Sequence, residues 1–60
     1  MDYSDDDLFD RLKDWLTTHC KHDSKSWQDY ERAKAYMETM WFDYTNWDAG
    51  IKIITEYLGL

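Results

Sequence analysis

The sequence predicts an all-α fold, a compact three-helix bundle with helices at about 5–20, 27–44 and 46–58 in one domain spanning 1–60. Three observations predict it. Apolar residues recur at steps of three and four in three successive stretches, the spacing that lines one face of a helix. A capping residue precedes each stretch: Ser4, then Ser26 or Ser24, then Thr45 or Asn46. There is no proline and no clear strand signal. Ile51, Ile53, Ile54 and Thr55 could alternate in a strand, but Trp47, Ile51, Ile54 and Leu58 fit one helical line better.

The first helix should begin after Ser4. Asp5, Asp6 and Asp7 fill its first turn, where carboxylates oppose the positive end of the helix dipole. Leu8, Phe9, Leu12, Trp15, Leu16, His19 and Cys20 follow at helical spacing. Met1 to Tyr3 should fray, or dock through Tyr3. Residues 21–26 form a polar connector.

The second helix is the longest unbroken periodic segment, Trp27 to Tyr44. Tyr30, Ala33, Met37, Met40, Trp41 and Tyr44 should face inward, with Asp29 at the third position after the Ser26 cap. The connection to the third helix is very short, so the two are sharply bent neighbours or one kinked helix. Gly50 lies in the apolar sector of the third helix, where it costs about 1 kcal/mol against Ala and permits close backbone approach. Gly59 suits the helix end.

A chain of 60 residues buries only about 60% of the surface that its unfolded form exposes. Small scaffolds need disulfides, a metal, a partner subunit or dense aromatic packing. Cys20 is the single cysteine, which excludes an internal disulfide. Four Trp, five Tyr and two Phe can supply the packing, since each ring buries roughly 150–250 Å².

Thirteen acidic residues against seven basic ones leave a formal charge of −6. That argues against direct nucleic-acid binding, which needs clustered Lys and Arg. It favours a positively charged protein partner. The acidic start has neither the basic region nor the apolar region of a signal peptide, and no apolar run approaches the ~20 residues of a membrane span. The expectation is a soluble cytoplasmic protein with a reduced thiol and no membrane contact.

Two stretches are candidate partner-binding surfaces. Asp6, Asp7, Asp10 and Asp14 share one sector of the first helix, opposite Leu8, Leu12 and Leu16. Asp6–Asp10 and Asp10–Asp14 are like-charge pairs four residues apart, each destabilising by roughly 0.2–0.5 kcal/mol. A row of carboxylates at that spacing can imitate nucleic-acid phosphates and fill a basic groove. Its plain alternative is a solvated face. Asp43, Asp48 and Glu56 could extend the acidic surface. The second surface is the outer side of the second helix, where Gln28, Arg32, Ala35, Thr39 and Phe42 form a line with Tyr36 beside it. Phe42 is the anomaly there. Either a second chain, including another copy, covers Ala35, Tyr36, Thr39 and Phe42, or an element such as the Tyr3 arm does.

His19, Cys20, His22 and Asp23 are metal-ligand types, but zinc sites usually draw on two separated clusters. The alternative is structural: His19 completes the apolar stripe, and His22 sits near a helix C-terminus that favours a cation. No metal or other cofactor is expected. Nothing marks a carboxylate pair for acid–base work or a nucleophile with its base, and there is no phosphate-cradling loop. The chain reads as a non-enzyme.

A short, proline-free, acidic, aromatic-rich chain with the Asp6, Asp7, Asp10 and Asp14 stripe resembles the small phage-encoded anti-defence proteins, including anti-CRISPR and DNA-mimicking anti-restriction proteins. The likeness is one of overall character. It implies stoichiometric inhibition, with the acidic face blocking the nucleic-acid-binding surface of a target in the host cytoplasm. Arg11, Lys13, Arg32 and Lys34 interrupt the acidity and leave room for an aromatic-anchored contact. The competing reading is a helical adaptor or homodimerisation module.

Overall fold

Helix α1 spans Asp5–His19. Ser4 is extended and its Oγ accepts the Asp7 N–H at 3.3 Å, which satisfies one of the orphan amides of the first turn. The helix stops where Cys20 turns extended, while its N–H still reaches Leu16 O at 2.8 Å. Leu8, Leu12 and Leu16 are buried on one side of it. The structure is a computed structural model that describes residues 4–40 and 42–60.

Helix α2 spans Trp27–Glu38. Both candidate serines take part in its start. Ser26 Oγ accepts the Asp29 N–H at 3.2 Å, and the Ser24 hydroxyl donates to Asp29 Oδ2 at 3.3 Å. The expectation that this helix continues to about Tyr44 is corrected. At its end Thr39 sends both its N–H and its hydroxyl to Tyr36 O, at 3.0 and 2.7 Å. Beyond, Asp43 Oδ1 accepts the Thr45 N–H at 2.8 Å, and Asn46 Oδ1 accepts the Asp43 N–H at 2.8 Å. Short polar side chains thus give this backbone an alternative to the helical ladder.

Helix α3 spans Trp47–Leu58. It is a separate helix and not the continuation of a kinked α2. Asn46 is its N-cap residue but makes no side-chain cap bond. The side chain serves the turn instead, and its Nδ2 donates to Asp5 Oδ1 at 3.1 Å. Gly59 ends the helix with φ 76°, a left-handed conformation that suits glycine.

The fold is therefore all-α, a three-helix bundle, with no strand among the described residues. Leu12, Leu16, Cys20, Ala33, Met37, Ile54 and Leu58 form the buried core. Trp15, Tyr30, Tyr36, Phe42, Trp47, Ile51, Ile53, Tyr57 and Leu60 pack around it. Gly50 permits the close approach expected of it: a β-carbon there would lie 2.5 Å from Met37 Cε and 2.8 Å from Phe42 Cε1. The α1–α2 loop docks on the end of α3. Asp23 N–H donates to Tyr57 O at 2.8 Å and Lys25 N–H to Leu58 O at 2.7 Å, which satisfies two terminal helix carbonyls.

Three placements differ from the periodicity. Tyr44 is 92% exposed, because α2 has ended before the helical phase can carry it inward. Phe42 is half-buried instead of facing outward; its ring centroid lies 6.0 Å from that of Phe9. His19 is exposed and does not complete the apolar stripe. Trp41, expected on the inward face, and Met1 to Tyr3 lie outside the described residues.

Candidate functional site

The α1 periodicity that buries Leu8, Leu12 and Leu16 turns Asp6, Asp7, Asp10 and Asp14 outward, and all four are exposed. Asp5 is set apart from them by its bond to Asn46. The ion pairs among the described residues are Arg32–Asp29 at 3.3 Å and Lys34–Glu31 at 3.4 Å, both within α2. None of the four α1 carboxylates takes part in them. Among the described residues the row is a like-charged face outside these two ion pairs.

The second predicted surface does not come together as one patch. Ala35 and Thr39 are exposed, whereas Phe42 turns in toward Phe9 and Gly50. Tyr36 lies against α1: its ring is nearly parallel to that of Trp15, with centroids 5.0 Å apart and planes 14° from each other. Among the described residues the exposed large apolar side chains are instead Trp27, at 63%, and Tyr44.

One feature was missed by the sequence reading. Arg11, Asp14, Trp15, Thr18 and His19 of α1 and Tyr36 of α2 line a groove of about 270 Å³. Trp15 forms its aromatic centre. His19 stacks on it with centroids 4.8 Å apart, and the Arg32 guanidinium lies 6.0 Å from its ring centroid. A local signal existed: positions 11, 14–15 and 18–19 repeat at helical spacing between the acidic and apolar sectors of α1.

The His–Cys cluster disperses. His19 lies on Trp15, and the His22 and Tyr57 rings pack edge to face with centroids 5.1 Å apart. Cys20 is buried, and its carbonyl accepts the Tyr57 hydroxyl at 3.1 Å. Burial pushes the Cys20 thiol above its ordinary pKa; the Asp29 carboxylate adds to this and Arg32 partly offsets it. That favours the protonated, unreactive thiol. Among the described residues no three His, Cys, Asp or Glu side chains are grouped to hold a metal ion.

Asp43, in the α2–α3 turn, has its carboxyl held below the usual range. The Thr45 hydroxyl is the main cause and the Thr45 N–H the next. Among the described residues no helix is long and apolar enough to cross a membrane. Comparison of the chain with protein-family models, curated proteins and solved structures gives no match.

Proposed function

We propose that this protein is a non-enzymatic inhibitor that acts by binding, with the α1 carboxylates occupying a Lys/Arg surface where a target protein holds DNA or RNA. One observation carries the reading: Asp6, Asp7, Asp10 and Asp14 are exposed together, while the ion pairs among the described residues lie elsewhere. Two like-charge pairs on one helix face lower stability, and a face maintained against that cost suits a partner of opposite charge. A phage anti-CRISPR or anti-restriction protein in the host cytoplasm is the functional class that this reading suggests. No cofactor enters the mechanism. The target's cationic groove would be closed to nucleic acid for as long as the complex lasts.

The test is affinity capture of the target from host lysate, repeated with Asp6, Asp7, Asp10 and Asp14 all changed to Asn. Capture that fails with this variant, and that weakens steeply with salt in the wild type, supports the reading. Equal capture by both proteins removes it.

A second reading, a helical adaptor or homodimer, is favoured by the exposure of Trp27 and Tyr44. Exposed aromatic anchors suit protein interfaces. Ala35 and Thr39, also exposed, would border such a contact. Sedimentation at high concentration separates the versions: a wild type that remains monomeric excludes the homodimer.

A further inference from the structure

We propose that the connector of residues 21–26 is a latch on the last turn of α3, one that opens on its own while the bundle stays folded and so controls access to Cys20. The inference is independent of the acidic-face reading. Tyr57 is the hub of the closed state. Its carbonyl accepts the Asp23 N–H at 2.8 Å, its hydroxyl donates to Cys20 O at 3.1 Å, and its ring packs edge to face with His22. Beside it the Lys25 N–H donates to Leu58 O at 2.7 Å. Gly59 completes the seat, because a β-carbon there would run into the Asp23 carboxylate.

Two features set this contact apart from the bundle that it closes. The first is its polarity. Residues 21–26 carry no aliphatic side chain, and Lys21, His22, Asp23 and Lys25 are exposed. Segments that bury few apolar contacts open at a lower free energy than the whole fold. The second is backbone strain. Asp23 and Lys25 have φ of 59° and 56°. Asp tolerates the left-handed region through local hydrogen bonds of its short side chain, and Lys has no such group. Release from α3 frees both dihedrals, and water can then satisfy the two helix carbonyls.

The connector has a second attachment that release from α3 leaves in place. The Ser24 hydroxyl donates to Asp29 Oδ2 at 3.3 Å, and Ser26 Oγ accepts the Asp29 N–H at 3.2 Å. The latch therefore swings from the start of α2. Cys20 stands at its other end, 8% exposed and part of the core cluster. As the single cysteine of the chain, it reports the opening without interference from another thiol.

The test is labelling by an aromatic disulfide reagent, whose exchange with the Cys20 thiolate releases a coloured thiolate. It is run at one pH across low urea, with global unfolding of the same protein followed by circular dichroism. The wild type is expected to label faster than its global unfolding equilibrium allows, with almost no urea dependence, because a local opening exposes little surface. Tyr57→Phe keeps the ring and removes one hydrogen bond, so labelling should accelerate about 2- to 12-fold. Asn46→Ala, at the opposite end of α3, lowers global stability and should leave the rate within about two-fold. Four outcomes each overturn the latch. They are a wild-type rate that matches global unfolding and climbs steeply with urea, acceleration by Asn46→Ala in proportion to its lost stability, a wild-type rate in Tyr57→Phe, and a rate in the folded protein equal to that of the unfolded chain.

Discussion

Asn46 ties the start of α3 to the start of α1, its Nδ2 donating to Asp5 Oδ1 at 3.1 Å across 41 positions of sequence. The same side chain accepts the Asp43 N–H at 2.8 Å and is only 5% exposed. Asn46→Ala leaves a turn amide without its acceptor. A loss of roughly 1–3 kcal/mol is expected in urea unfolding. Asn46→Asp keeps an acceptor but sets a carboxylate against Asp5, so its deficit should shrink in acid.

Gly50 of α3 lies close against Met37 of α2, so that a β-carbon there would meet Met37 Cε. Gly50→Ala gains about 1 kcal/mol of helix propensity but forces Met37 and the stiffer Phe42 ring to move, at a cost of typically 1–3 kcal/mol. Thermal unfolding should show a net loss, and a larger one for Gly50→Val. A more stable Gly50→Ala would mean that the neighbours yield freely.

Two non-glycine residues of the α1–α2 loop, Asp23 and Lys25, have positive φ, at 59° and 56°. Lys25→Gly should raise stability by about 0.5–1 kcal/mol by relieving the left-handed conformation. Gly59→Ala should lower it, because φ is 76° and the new β-carbon would run into Asp23 Oδ1. Equilibrium denaturation of the two variants checks both signs.

The shifted groups set a pH dependence at each end. Asp43 has a lowered folded-state pKa, so its contribution is present above the unfolded value of 3.8 and fades as pH falls through the lower folded value. Asp43→Asn should flatten that acid limb. Cys20 has a raised folded-state pKa, so its contribution is complete below the unfolded value of 9.0 and is lost as pH rises through the folded one. Cys20→Ala should flatten the alkaline limb. Chemical unfolding across pH reads both.

The architecture was legible in the sequence because two strong signals agreed. The leucine spacing of α1 and the Ser4 and Ser26 caps fall where periodicity places the helices. The end of α2 was hidden. Thr39, Asp43, Thr45 and Asn46 act through local hydrogen bonds, while Met40 and Tyr44 prolong a helical pattern that the backbone does not follow. Phe42 was misplaced for the same reason. The exposure of the α1 aspartates followed directly from the leucines opposite them. The Trp15 groove needed the packing of α2, because Tyr36 closes it from another helix.

Asp10 has like-charged neighbours at both Asp6 and Asp14. Asp10→Asn should stabilise the fold by about 0.4–1 kcal/mol, the sum of two like-charge pairs, while weakening partner binding. Opposite effects on stability and binding are the mark of a functional face. A face that is only solvated would gain the stability and lose nothing.

Competition with nucleic acid is the most direct measurement. The target captured from host lysate is loaded with its DNA or RNA and titrated with the wild type and with the variant carrying Asn at positions 6, 7, 10 and 14. A phosphate-imitating face predicts stoichiometric displacement by the wild type, weakened at high salt, and none by the variant. Displacement of the nucleic acid by the variant as effectively as by the wild type would contradict it.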